Sequence, residues 1–387
     1  MLLTGSGRLA PAGLSPWAMV VRDGRIAWIG GPADAPAADE RVDLGSALVT
    51  PGLVDSHTHP VFAGDRSDEA AARLQGAPYT EGGILRTVRA TRAAGDAELE
   101  RMVEARLTAS LQSGTTTVEC KSGYGLSLDE ELRHLRLLRR VAKRVPVRVV
   151  ATFLGAHAVP PETSSMTEYA SHVADDMIPA VAAEGLAEFV DVFADAGFFD
   201  LAAVERIAAA AAKAGLGLRL HAEQLARTGA AALGSRLGAA SVDHLEQLDD
   251  AGVAALAGSR TVATLLPAPA LVMRGRLPPA GALLEAGATI ALASDANAGT
   301  YSGFGTMPLV IGLGATLLGL SVAEALTAGT AGGGHALRRP DLGVLEIGAA
   351  ADLVAWDAEH EGAFALSLGA VKATRVWVSG EEIALDR

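Results

Sequence analysis

An alternation constrains this fold more than any other feature of the chain. Eight short apolar runs, rich in valine, threonine and leucine, recur at residues 47–54, 115–119, 147–154, 188–193, 217–220, 240–243, 261–265 and 289–293. Alanine-rich stretches with helical spacing separate them. Parallel strands need a long crossover between neighbours, and a helix is the usual one, so this alternation predicts a parallel sheet covered by helices. Eight such units within about 250 residues match a (β/α)8 TIM barrel. A doubly wound open sheet is the alternative, but no Gly-x-Gly-x-x-Gly turn follows a first strand to favour it. Two of the helices can be read closely. Residues 97–112 should bury Leu99, Met102, Val103 and Leu107 and stop at Gly114. The next helix should open at Ser127 with Glu130 as its capping box and bury Leu128, Leu132, Leu135 and Leu138.

The two ends of the chain read differently. Residues 17–21 and 25–29 are β-type runs joined by Asp23-Gly24, a tight hairpin signal. Residues 351–356 and 375–378 are similar. The expectation is a small β-sandwich domain built from residues 1–50 and 345–387, with residues 51–344 forming the barrel.

Composition then excludes partners. The formal net charge is −13 without a long basic run, which argues against nucleic acid and anionic membrane surfaces. No uncharged apolar run reaches the ~18–20 residues of a membrane helix. Residues 1–11 lack a charged segment followed by a sustained apolar one, so no signal peptide is expected. Cys120 is the single cysteine, which fits a reducing compartment, and a cytoplasmic location is expected.

In a barrel of this kind chemistry sits at the carboxyl ends of the strands. Five of the nine histidines fall there: His57 and His59 after the first run, His157 after the third, His221 after the fifth and His244 after the sixth. Asp295 ends the eighth. Side chains alternate along a strand, so His57 and His59 face one way and can grip one cation. Three imidazoles and a carboxylate suit zinc or iron(II) and argue against magnesium or calcium. His57, His59, His221 and Asp295 are the candidate ligands. The plainer alternatives are a helix-capping role for Asp295 and a core role for His221. His134, His172, His335 and His360 are assigned to solvent or structural roles, the first two on helix surfaces.

At this point the chain resembles a known group. Pro51-Gly52-Leu53-Val54-Asp55-x-His57-x-His59, followed by His221, His244 and Asp295, is similar to the amidohydrolase superfamily. Lys121-Ser122-Gly123-Tyr124-Gly125-Leu126, Phe153-Leu154-Gly155-Ala156-His157 and Ser294-Asp295-Ala296-Asn297-Ala298-Gly299-Thr300 resemble the imidazolonepropionase family within it. The likeness runs over roughly residues 51–352. Segment 78–83, with Tyr79, is shorter than that family's usual loop. The resemblance implies a hydrolase that opens 4-imidazolone-5-propanoate to N-formimidoyl-L-glutamate in histidine degradation, acting as a homodimer. It also implies substrate contacts from Arg66, Tyr124, His157, Gln224, Asn297, Gly299 and Thr300. An arginine fork matches a propanoate carboxylate, although Gly64-Asp65-Arg66-Ser67 alone reads as an exposed loop. Asp295 would act as ligand and base, and His244 would polarise the ring carbonyl. Some relatives bridge two metals through a lysine on a later strand. Residues 188–193 offer none, so one divalent ion is expected, and Asp191 and Asp195 are read as structural. The same machinery on a purine, pyrimidine or hydantoin, as a deaminase or cyclic amidase, is the second enzyme reading. A non-catalytic binding barrel is the third.

Overall fold

Sixteen strands organise the computed structural model, which describes residues 1–77 and 81–385. Tyr79 and its immediate neighbours therefore lie outside the described residues. The strands are β1 Leu2–Gly5, β2 Trp17–Arg22, β3 Arg25–Gly30, β4 Arg41–Asp43 and β5 Val49–Pro51. They continue as β6 Leu53–Asp55, β7 Thr115–Lys121, β8 Arg148–Ala156, β9 Phe189–Ala194, β10 Gly217–Ala222, β11 Ser241–His244, β12 Val262–Leu265 and β13 Ile290–Leu292. The last three are β14 Leu353–Trp356, β15 Ala373–Val378 and β16 Glu381–Ile383.

Strands β6 to β13 form one parallel sheet in sequence order, as the alternation requires. Val118, Val190, Leu220 and Val242 belong to the large buried apolar cluster shared with helices such as Asp96–Gln112 and Leu128–Val141. The first and last strands meet only beyond their ends. The Asp295 amide donates to the His57 carbonyl at 3.0 Å and the His59 amide to Ala296 at 2.9 Å. Below them Asp55 accepts from the Ser294 amide and hydroxyl at 3.0 and 2.6 Å. The seam of the barrel is thus made by the segments that carry the candidate ligands.

Both chain ends supply the two remaining sheets, β3-β2-β1-β4 and β16-β15-β14-β5. Leu3, Trp17, Met19, Val49, Leu353 and Trp377 bury together between them. Asp23 and Gly24 both take left-handed backbone, φ 51° and 73°, which is what a two-residue turn between right-twisted strands needs.

Three expectations need correction. The run 47–54 is two strands in two sheets, because β5 pairs with β14 while β6 pairs with β7. Gly52 separates them, and a side chain there would meet the Thr116 hydroxyl oxygen at 2.1 Å. Ser127 caps its helix without a side-chain hydrogen bond, so the capping box is absent. The buried Glu131, one residue further on, instead accepts from the amides of Gly123, Gly125 and Leu126 at 2.8–3.0 Å.

The third correction concerns His134, which is fully buried and not on a helix surface. Neither ring nitrogen has a hydrogen-bond partner among the described residues. Burial lowers its pKa from 6.5 to about 3. Between those values the unfolded chain binds a proton that the folded one refuses, so stability is lost as pH falls through this window. His134→Leu is expected to flatten that loss, which amounts to about 2 kcal/mol at pH 5 by linkage. Thermal unfolding of both proteins between pH 7 and 4 checks it, and equal slopes would refute it.

Candidate metal centre

His57 and His59 leave β6 on one face, with Thr58 between them turned to β7, where its hydroxyl donates to the Glu119 carbonyl at 2.6 Å. The Nδ1 of His57 lies 2.7 Å from an Asp243 carboxylate oxygen, and the Nδ1 of His221 lies 3.1 Å from Asp191. A carboxylate at Nδ1 places the ring proton there and leaves the Nε2 lone pair facing inward. Those inward nitrogens converge. The Nε2 of His59 is 3.3 Å from the Nε2 of His57 and 3.3 Å from that of His221. Asp295 Oδ1 is 3.5 Å from His57 Nε2 and 3.4 Å from His59 Nε2.

Imidazole nitrogens gathered this closely beside a carboxylate oxygen form a donor set that a shared cation would join. Metal–nitrogen bonds of about 2.05 Å in a tetrahedron give donor separations of about 3.3 Å, which is the spacing seen. Burial first, and then neighbouring positive groups, hold His57 and His59 well below the ordinary imidazole range, so both offer neutral donors. The donor set fits a metal. His57, His221 and His244 also approach within 4.8 Å of one another, as do His57, His59 and Asp295. The His244 ring is set further back, with its Nε2 4.0 Å from Asp295 Oδ2.

Backbone strain collects at this site. Glu223, His244, Leu245 and Asp295 all have left-handed φ, from 47° to 85°, and none is glycine. Such residues persist where the surrounding structure forces them, commonly at functional sites. Burial opposes a charge on His244, yet the carboxylates of Glu246 and Asp295 push its pKa up to about 9. Asp295 is itself raised by burial, against the lowering effect of His244 and His221.

A narrow cavity opens onto these groups. Arg66, Tyr124, His157, Gln224, Asn297 and Thr300 line it, with Ile84 and Phe193. The His157 ring stacks on His59 with centroids 5.3 Å apart, and its Nδ1 donates to the Gly123 carbonyl at 2.8 Å. The buried Tyr124 packs against His157 and Phe62. Asn297 is engaged by its own loop: its amide donates to Asp295 O and Thr300 Oγ1, and its oxygen accepts from the amides of Gly299 and Thr300. A roomier alanine-lined groove among outer helices, edged by Asp175 and Arg206, holds no ligand cluster among the described residues.

Arg66 is buried and not an exposed loop residue. Its Nε and Nη2 form a fork on Glu69 at 2.8 and 2.6 Å. The guanidinium lies in a slot between two glycines. A Cβ on Gly83 would sit 2.0 Å from Nη2, and one on Gly299 would sit 2.1 Å from Nη1. Gly299→Ala is therefore expected to displace Arg66 and raise KM about 10- to 100-fold, the worth of a charge-assisted pair, with a smaller change in kcat. Steady-state kinetics decide it, and an unchanged KM would disprove the slot.

Four carboxylates with no sequence signal of their own lie against these groups: Asp243 on His57, Asp191 on His221, Glu246 on His244 and Glu69 on Arg66. Carboxylates in such positions are indistinguishable from structural ones until the fold pairs them. Asp191, read as structural, holds His221. Asp195 fixes the turn after β10 by accepting from the amides of Leu225 and Ala226 at 2.8 and 3.1 Å.

The chain is similar to known proteins along most of its length. Residues 63–384 match the amidohydrolase family. The imidazolonepropionase of Ralstonia nicotianae is 47% identical over 363 residues, covering 91% of this chain and 89% of that protein. That of Mycolicibacterium smegmatis is 48% identical over 343 residues, covering 88% and 84%. Among solved structures, 5-methylcytosine deaminase from Klebsiella pneumoniae superposes with a TM-score of 0.81 at 16% identity, over 100% of this chain and 98% of that one. An atrazine chlorohydrolase from Arthrobacter aurescens complexed with zinc superposes at 0.74 and 20% identity, over 98% and 94%. At those identities the likeness shows the fold alone.

Proposed function

The chain belongs to the amidohydrolase family, and within it to the imidazolonepropionases, and on that footing we propose that it opens the ring of 4-imidazolone-5-propanoate with water. The product is N-formimidoyl-L-glutamate, a step of histidine degradation. One observation carries the reading: the Nε2 atoms of His57 and His221 each within 3.5 Å of His59 Nε2 or Asp295 Oδ1, beside a cavity that Arg66 lines.

His57, His59, His221 and Asp295 would hold one divalent ion, zinc or iron(II), since nitrogen-rich sets accept both. Bound there, the ion supplies Lewis acidity that makes water a nucleophile at neutral pH. A single ion is favoured because β9 carries no lysine to bridge a pair, and Lys121 is held by Glu119 and Asp191 at 2.8 and 2.7 Å.

The remaining work falls to side chains. Arg66 takes the propanoate carboxylate, which fixes the ring against Tyr124 and His157. Asp295 accepts the water proton as the oxygen attacks the ring carbonyl carbon. His244 donates from Nε2 to the oxygen that becomes negative. Asp295 then returns the proton to the ring nitrogen as the carbon–nitrogen bond breaks. Gln224 orients substrate or water without acting as a base. A homodimer in solution completes the reading by analogy with the family.

The test is direct. Metal-loaded protein should consume 4-imidazolone-5-propanoate, followed by its ultraviolet absorbance, and chelator should stop it. No consumption by protein with metal bound would transfer the site to a deaminase or another cyclic amidase.

A further inference from the structure

Two consecutive residues with left-handed backbone end β11, His244 at φ 85° and Leu245 at φ 72°. Neither is glycine, so each is held there against an intrinsic steric penalty. Hydrogen bonds from the Leu245 amide to Ala222 and from the Gln247 amide to Glu223 pin this turn to the end of β10. Its consequence is to fold residue 246 back against residue 244. Glu246 is only 6% exposed, and its Oε1 lies 3.3 Å from His244 Nδ1. Its second oxygen, Oε2, is buried with no hydrogen-bond partner among the described residues.

A buried carboxylate with one short-range partner and an orphaned oxygen weakens a fold. It serves no strand pairing and caps no helix. The same device appears twice more at this site, on His57 through Asp243 and on His221 through Asp191, each time with the carboxylate at Nδ1 and Nε2 turned inward. His157 differs, since its Nδ1 meets a carbonyl, and His59 Nδ1 has no partner among the described residues.

We infer that Glu246 is the positioning residue of His244. By accepting from Nδ1 it fixes the rotation of the ring, which aims Nε2 at Asp295 and the reacting carbonyl. The inference rests on the role given to His244 above, and names the group that makes that role possible.

Two near-isosteric variants of the metal-loaded protein test it. Glu246→Met removes the acceptor and should lower kcat about 10- to 100-fold, the usual effect of losing such a partner, with KM within about twofold and metal content unchanged. Glu246→Gln keeps an oxygen that can accept from Nδ1 and should return kcat to within about threefold of the parent. A residue that served folding alone would shift thermal stability without this split between Met and Gln. Equal loss in both variants, no loss in either, or loss of metal in Glu246→Met would overturn the inference. Should Glu246→Met fail to fold, the nitrogen-15 imidazole spectrum of the intact protein decides, with His244→Gln used for assignment. A proton on Nδ1 of His244 is expected, and a bare Nδ1 would overturn the inference. The spectrum needs no turnover, so an inactive parent would sink the substrate reading and leave this inference to be judged separately.

Discussion

Asp295→Asn is expected to lower kcat by at least about 10²- to 10⁴-fold, the range for removing a positioned acid–base group, while metal content falls far less. Asparagine keeps the size of the side chain and one oxygen donor. It loses the negative charge and the ability to carry a proton from water to the leaving nitrogen. Asp295 is the carboxylate among the candidate ligands and it also faces His244, with Oδ2 4.0 Å from His244 Nε2 and Oδ1 turned to His57 and His59. Its two oxygens therefore address two different tasks. Its backbone closes the barrel through the His57 carbonyl, so the carboxylate has little freedom to relocate. Metal analysis beside kinetics separates the tasks. An Asn variant with parental turnover rules out the base role, and one that is inactive only because it is metal-free reduces Asp295 to a ligand.

Much of this architecture was legible in the chain because strand and helix periods differ and because function falls at strand ends. The eight runs, the hairpin at Asp23-Gly24 and the inward convergence of His57, His59, His221 and Asp295 follow from those two facts. The break at Gly52 was not legible, since one apolar run can serve two sheets and only the pairing of β5 with β14 reveals it. Arg66 misled for a related reason. A Gly-Asp-Arg-Ser string has the composition of an exposed loop, and its burial depends on Gly83 and Gly299, which are distant in sequence. His134 misled because its neighbours are arginines and glutamates, yet its own face of the helix points to the core. The barrel interior was the least legible part. Apolar outward faces hide the fact that β7, β9, β10 and β11 each turn a charged side chain inward, Glu119 and Lys121, Asp191, Arg219 and Asp243.

That interior yields the second large effect. Lys121 donates to Glu119 at 2.8 Å and Asp191 at 2.7 Å, and all three are fully buried. Arg219 lies 3.1 Å from Asp243 and 3.8 Å from Glu119. Burial alone would raise Asp191, but Lys121 and His221 hold it well below the ordinary carboxylate range. Lys121→Met is expected to destabilise the protein by about 3–5 kcal/mol, because breaking a buried pair leaves uncompensated charge behind. The damage should also reach the metal. Asp191 holds His221 and Asp243 holds His57, so a repacked network loosens two ligands, and affinity should fall about 10- to 100-fold. Adding Glu119→Gln to Lys121→Met removes one of the stranded charges and should recover part of the stability, while Asp191, still without its lysine, keeps metal affinity low. Denaturant unfolding and metal titration of the two variants measure these separately. If Lys121→Met unfolds like the parent, the buried ions are not what holds the ligands in place. If stability falls but metal affinity does not, the network supports the barrel alone and Asp191 orients His221 without help from below.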